Sequence, residues 1–427
     1  MYVPTAGAAP RWVHLDVLRA VAILLVLGPH TPFRLPDDSR WHGLFAAWRN
    51  IGWIGVDLFF VLSGFLIGGL LFAEQRKHGG IRFGRFFLRR TFKIWPSYLV
   101  FLAATFVWDV KEGSGSVRER LSTSGHAIWP YLIHIQNYYS PLVERIGHAW
   151  SLAVEEHFYL LLPLLLLAMG WWAGRRGAAG RTNAAPPYRG LPWICLILAL
   201  VCLGLRFAFW HGEAEFDEFV NHWPTHLQID SLFAGVTLAY AVQFARPWVE
   251  SLRRWRWWIG LAGAGCLLPF AWISGKSTFA CTIGYTILAV GSMALVLVAW
   301  FASVPPPGTA LTRAQPGGRM EKVNRGIVNV LAMIGARSYS IYLWHMPFTG
   351  PVAMRFRSFT GNHGLWGSPW HYGVMMLIYV GLALGFGCVM YALVEAPAVL
   401  LRERWFPSRP RAESTAEIAG MASRAVA

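Results

Sequence analysis

Two side chains able to do chemistry stand in one apolar run near the start of the chain, HLDVLRAVAILLVLGPHTPF: Arg19 and His30. On an α-helix eleven residues make three turns plus about 20°, so the two share a face and lie about 16 Å apart along the axis. A charged side chain inside hydrocarbon costs roughly 2.5–3.5 kcal/mol on insertion scales, so a retained one faces protein or water and usually marks function. Asp16, one turn before Arg19, can pair with it. Imidazole titrates near neutral, which suits His30 to general-base work. Arg19 suits the stabilisation of negative charge on a donor or on a developing oxyanion. The plainer alternatives are a snorkelling arginine and an interfacial histidine at a helix end.

Further polar groups recur in other apolar runs. In GVDLFFVLSGFLIGG, Asp57 shares a helix face with Gly64 and Gly68, and glycines four apart let another helix approach closely. In WSLAVEEHFYLLLP, Ser151, Glu155 and Tyr159 form an i, i+4, i+8 stripe, while Glu156 points about 100° away. Glu155 or Asp57 could orient the imidazole of His30 and stabilise its cation, as the acid of a triad does. Ser338 and His345 in GARSYSIYLWHMP, with Glu156 and Tyr159, are candidates to touch substrate. Arg206, Asp230, Arg337 and Glu395 read as interhelical pairs or caps. The histidines are not at metal-ligand spacing, so no metal is expected. The five cysteines lie in apolar segments without a CxxC and read as small core residues.

These groups need a frame of membrane helices. Hydrophobic residues make up 55% of the 427, charged ones 14%, and the mean hydropathy is +0.40. An all-α polytopic bundle of ten spans fits: 13–33, 51–73, 94–110, 150–172, 191–211, 223–245, 257–274, 279–302, 329–350 and 371–401. The 23 Trp and 14 Tyr suit aromatic belts at the two interfaces. Residues 127–141 are short and interrupted by His134, Gln136 and Asn137, so they read as re-entrant or interfacial. With the N-terminus inside, cytoplasmic pieces hold 25 of the 38 Lys and Arg and the outer loops 10, which places both termini in the cytoplasm. The net charge of +16 is thus a topology signal and not a sign of nucleic-acid binding. One membrane domain over 1–401 and a polar, disordered tail over 402–427 are expected, with no cleavable signal and no appended soluble domain.

LDVLRAVAILLVLGPH, GVDLFFVLSGFLI, RRTFKIWP, WSLAVEEHFYLLLP, and SYSIYLWHMP with VEAP near the end occur in this order from about residue 13 to 400. Together they resemble the acyltransferase-3 family of integral membrane acyltransferases, typified by bacterial O-antigen acetylases. The resemblance implies transfer of an acyl group, usually acetyl, from cytoplasmic acyl-CoA to a hydroxyl of a surface glycan, a glycolipid or a glycosylated small molecule. Arg19 and His30 match the essential pair of the family's first helix. Arg90 and Lys93, with Arg89 beside them, match its paired basic residues on the inner side, which implies contact with donor phosphates. Lysine stands where the family commonly has a second arginine, which keeps the charge but loses the two-point grip. Gly28-Pro29 also departs from the family's run before His30, at a place where a helix can kink.

The expected chemistry follows. Acyl-CoA keeps its phosphates on the basic loop after the second span and reaches its thioester along the Arg19 face toward His30. His30 takes the proton from the acceptor hydroxyl; an acyl-histidine relay is the other route. No permanently bound cofactor is implied. The partners are acyl-CoA, a glycan or glycolipid, and the bilayer of the inner (plasma) membrane. Charged residues in spans also mark transporters, so a glycolipid or proton-coupled transporter is the competing class.

Overall fold

The computed structural model describes residues 12–31, 33–35, 37, 41–139, 146–177, 188–304, 319–346, 355, 358 and 369–407. They form helices α1 (Val13–Leu27), α2 (His42–Ile51), α3 (Ile54–His78), α4 (Phe83–Glu112), α5 (Val117–Leu132), α6 (Trp150–Gly177) and α7 (Leu191–Ala208). Then follow α8 (Thr225–Phe244), α9 (Arg256–Leu267), α10 (Tyr285–Ser303), α11 (Arg319–Ala336), α12 (Ser338–Trp344), α13 (Pro369–Met390) and α14 (Ala396–Trp405). Short helical turns join some of them, and there is no strand among the described residues. The chain is an all-α polytopic membrane protein. Among the described residues seven helices are long and apolar enough to cross a bilayer; α11 and α12, bent by 58° at Arg337, make an eighth if taken as one span. The first and seventh expected spans are helical too, but α1 and α9 are only 15 and 12 residues long. Exposed tryptophans gather near helix ends, Trp171 and Trp172 in α6, Trp193 in α7, Trp257 and Trp258 in α9, as interfacial belts require.

Three boundaries differ from the sequence expectation. The first helix stops at Leu27, and Gly28, Pro29 and His30 form a turn. Pro29 brings no N–H and disfavours helix in the residue before it. His30 therefore stands in that turn, past the end of the helix that carries Arg19. Its position is set by the turn.

The basic stretch after the second span is not a loop. The turn is confined to residues 79–82, and α4 then runs unbroken for 30 residues, carrying Arg89, Arg90 and Lys93. Phe, Leu, Arg and Lys are acceptable helix formers, and Pro96 is accommodated inside the helix.

The segment expected at 127–141 is the end of a longer element. Ser116 and Glu119 build a capping box that starts α5. This helix runs back along α4: Ser124 donates to Asp109 (2.7 Å), and Tyr98 donates to the Tyr131 carbonyl (2.9 Å). From Glu112 to Tyr98 is about 21 Å along α4, so α5 folds in beside it and turns at mid-helix. His134, at φ 56°, makes that turn and stacks on Tyr98 at 5.0 Å. Gln136 and Asn137 are buried there, donating to the Ala149 carbonyl (2.9 Å) and to Thr225 (2.8 Å). Helix α5 thus folds back against α4 and, at 16 residues, is too short to count as a span of its own. At the other end of the chain, α14 continues past residue 401 to Trp405; most of the expected tail, 408–427, lies outside the described residues.

Close helix contacts hold the centre. A Cβ at Gly64 would lie 1.8 Å from the Leu232 carbonyl oxygen, and one at Gly235 would lie 2.1 Å from that of Val61. The glycine face of α3 is therefore pressed against α8. Gly335 meets Asp16 in the same way, locking α11 onto α1. Buried Arg206 ties α7 to α8 through Asp230 (2.5 Å) and to α10 through Thr286 (3.1 Å). The five cysteines are free.

Candidate active site

A cavity of about 740 Å3, its mouth included, opens between α1, α3, α4, α6 and α12. Arg19, Arg90 and Lys93 bring three basic side chains to its wall; Glu155 and Glu395 bring two acidic ones. Ser63, Ser151, Tyr159, Ser338, Tyr339 and Tyr342 add hydroxyls, and Val56, Phe59, Phe60, Ile94 and Leu152 an apolar side. Arg19 is held by Asp16 at 3.7 Å, as the i, i+3 spacing predicts.

One polar network crosses this wall. Glu155 accepts from Ser63 (2.8 Å) and from the Tyr159 hydroxyl (2.9 Å), one on each carboxylate oxygen. Tyr159 accepts from Arg90 (3.1 Å), whose guanidinium carbon sits 4.5 Å over the ring. The Nε of Arg90 is buried with no protein partner. On the facing side, Ser340 donates to Glu395 (2.6 Å). A π-helical turn, Tyr391–Glu395, precedes α14 and sets the direction of that carboxylate.

Three histidines gather behind Tyr342. The rings of His30 and His345 are 4.9 Å apart, as are those of His345 and His148. Helix ends explain the cluster, because the last carbonyls of α1 and α12 lack helical partners. Val26 O lies 2.8 Å from His30 Nδ1, Tyr342 O lies 2.6 Å from His345 Nδ1, and Leu343 O lies 3.2 Å from His148 Nε2. A carbonyl can only accept, so each of these ring nitrogens carries the proton. His30 is thereby left with a lone pair on Nε2. Tyr342 divides the cluster from the cavity; its hydroxyl donates to the His148 carbonyl (2.6 Å) and sits 2.7 Å from Ser151.

The structure thus brings Arg19, Arg90, Lys93, Glu155, Tyr159 and Ser338 to one cavity. His30 and His345 stand together one layer away. Asp57 is elsewhere: its face is the α8 interface, where Ser231 approaches at 3.4 Å. Arg89 turns outward to Glu403 of α14 at 2.9 Å. Glu156 is half-buried outside the cavity lining. Sequence reasoning missed Ser63, although it is the only hydroxyl in the run from Ile54 to Ala73. It also missed His148, two residues before the WSL stretch, and nothing in its spacing pointed to it.

Residues 12–391 match the family described as an acyltransferase domain. The chain belongs to the acyltransferase-3 family. Similar proteins include the peptidoglycan O-acetyltransferase OatA of Listeria monocytogenes, 26% identical over 355 residues, which are 79% of this chain and 50% of that protein. O-acetyltransferase OatA of Staphylococcus aureus is 26% identical over 354 residues, 79% of this chain and 51% of its own. This acyltransferase-3 chain spans about half the length of the curated relatives it matches. No solved structure matches it.

Proposed function

We propose that this chain is a membrane O-acyltransferase that moves an acyl group, acetyl in the first instance, from acyl-CoA to a hydroxyl of an envelope glycan or glycolipid. The observation that carries the reading is the hydrogen-bonded placement of His30, which leaves Nε2 as a lone-pair base beside a cavity walled by three basic side chains. Family membership and the O-acetyltransferases among the relatives support it.

In this reading the donor enters from the cytoplasm. Its phosphates meet Arg90 and Lys93, and the unpartnered Nε of Arg90 offers a donor for one of them. The pantetheine arm lies along the cavity past Glu155 and Arg19, and Tyr342 yields to let the thioester reach the histidines. His30 Nε2 takes the acceptor's hydroxyl proton as the oxygen attacks the thioester carbon. Arg19 stabilises charge on the donor side. The site lies in the inner membrane with both termini cytoplasmic.

Incubating the purified full chain with acetyl-CoA and an envelope glycan extract tests this. Acetyl mass gained by a glycan together with release of CoA thiol is the expected result. A chain with no acyl-CoA turnover, in a preparation where the extract is acetylated by a known acetyltransferase, would contradict it.

A further inference from the structure

We propose that His345 is the residue that positions the base, the part a carboxylate plays in a Ser-His-Asp arrangement. The inference rests on the reading of His30 as that base and adds the group that holds it.

The geometry is specific. His30 Nδ1 has two partners, Val26 O at 2.8 Å and His345 Nε2 at 3.3 Å. His345 Nδ1 is committed to donating to Tyr342 O at 2.6 Å. Its Nε2 therefore carries a lone pair and can only accept. The single N–H of His30 is shared between a carbonyl and an imidazole, and both partners fix the same tautomer. His148 backs the pair: its ring stands 4.9 Å from that of His345, and its Nε2 donates to Leu343 O at 3.2 Å.

Among the described residues no carboxylate takes this place. Glu155 is engaged with Ser63 and Tyr159, and Asp57 faces Ser231 across the α3–α8 contact. A neutral histidine behind the base has a consequence for the reaction. The acceptor's O–H proton moves to His30 Nε2, its oxygen bonds to the acyl carbon, and the C–S bond breaks. The leaving sulfur then takes that proton from Nε2, which restores neutral His30. While His30 is an imidazolium, its Nδ1–H is a stronger donor, and His345 Nε2 stabilises the cation without adding a negative charge to a buried site.

Two substitutions separate this role from simple space filling. In His345→Asn the side-chain amide reaches only as far as Nδ1, so the bond to Tyr342 O is kept and the one to His30 is lost. In His345→Gln an amide oxygen stands near the Nε2 position and can still accept from His30. With acetyl-CoA as donor and an envelope glycan extract as acceptor, His345→Asn is expected to lower kcat about 10- to 100-fold, the worth of one hydrogen bond to a charged group. The KM for acetyl-CoA stays unchanged, and His345→Gln recovers most of the loss. Equal activity of the two variants, whether both fast or both slow, would overturn the proposal. His30→Ala run alongside keeps the two claims apart. If it is inactive while the Asn and Gln variants are alike, only the role of His345 falls. If it is active, the base reading itself falls.

Discussion

Gly64→Ala is the substitution whose effect can be worked most fully from the geometry. The added methyl would lie 1.8 Å from the carbonyl oxygen of Leu232, against about 3.4 Å for ordinary contact. The obstacle is backbone and cannot rotate away, so α3 and α8 must part by about 1.6 Å. Overpacking of this kind typically costs about 1–3 kcal/mol, and a backbone clash belongs at the top of that range. The shift reaches the site at once, because Ser63 precedes Gly64 and donates to Glu155 at 2.8 Å. Moved by more than an ångström, that bond passes out of hydrogen-bond range. The same helix supplies its own control: a Cβ at Gly69 meets nothing within 4 Å, and alanine there gains up to about 1 kcal/mol of helix propensity. Thermal unfolding of both variants in detergent, with acetyl transfer measured on each, is the assay. Gly64→Ala is expected to unfold at lower temperature and lose activity, while Gly69→Ala matches or exceeds the parent protein. A Gly64→Ala protein as stable and active as the parent would refute the packing that is held to position Ser63.

Further expectations follow from the cavity wall. Tyr159→Phe keeps the ring under Arg90 but removes the hydroxyl that joins Arg90 to Glu155, so acetyl-CoA binding should weaken about 10- to 100-fold, as for a hydrogen bond to a charged group; equilibrium binding to purified protein checks it. The Arg90→Ala and Lys93→Ala double variant should lose acetyl-CoA binding more than acceptor use, and unchanged donor affinity would count against their assignment. Single cysteines at Gly80, between α3 and α4, and at Gly115, between α4 and α5, should label with an impermeant reagent from opposite sides, Gly115 from outside; the reverse would invert the proposed orientation.

The helical frame was legible in the sequence because hydropathy reports burial in lipid directly. All ten expected spans contain helix. The boundaries were less legible. Helix α4 starts eleven residues before its apolar part, since arginine and lysine end the hydrophobic signal without ending the helix. The stripe Ser151, Glu155, Tyr159 follows from helical spacing alone, and it lines one side of the cavity. Its partners do not, because Ser63 and Arg90 arrive from other helices through contacts that spacing within one segment cannot encode. Asp57 lies on a face whose Gly64 and Gly68 call for a helix packed against it, and α8 fills the place, away from His30. His148 gathers with His345 and His30 only because α12 ends beside α1 and exposes its last carbonyls to them.

The most direct test of the account is the turnover of purified His30→Asn with acetyl-CoA and an envelope acceptor, measured beside its acetyl-CoA affinity. Asparagine can still donate toward Val26 O but offers no base near neutral pH, and general-base catalysis typically contributes about 10²–10⁴-fold. The account predicts that turnover falls by about that factor while the protein folds and binds acetyl-CoA as the parent does. Turnover equal to the parent's would contradict it and would leave His30 as a cap on the end of α1.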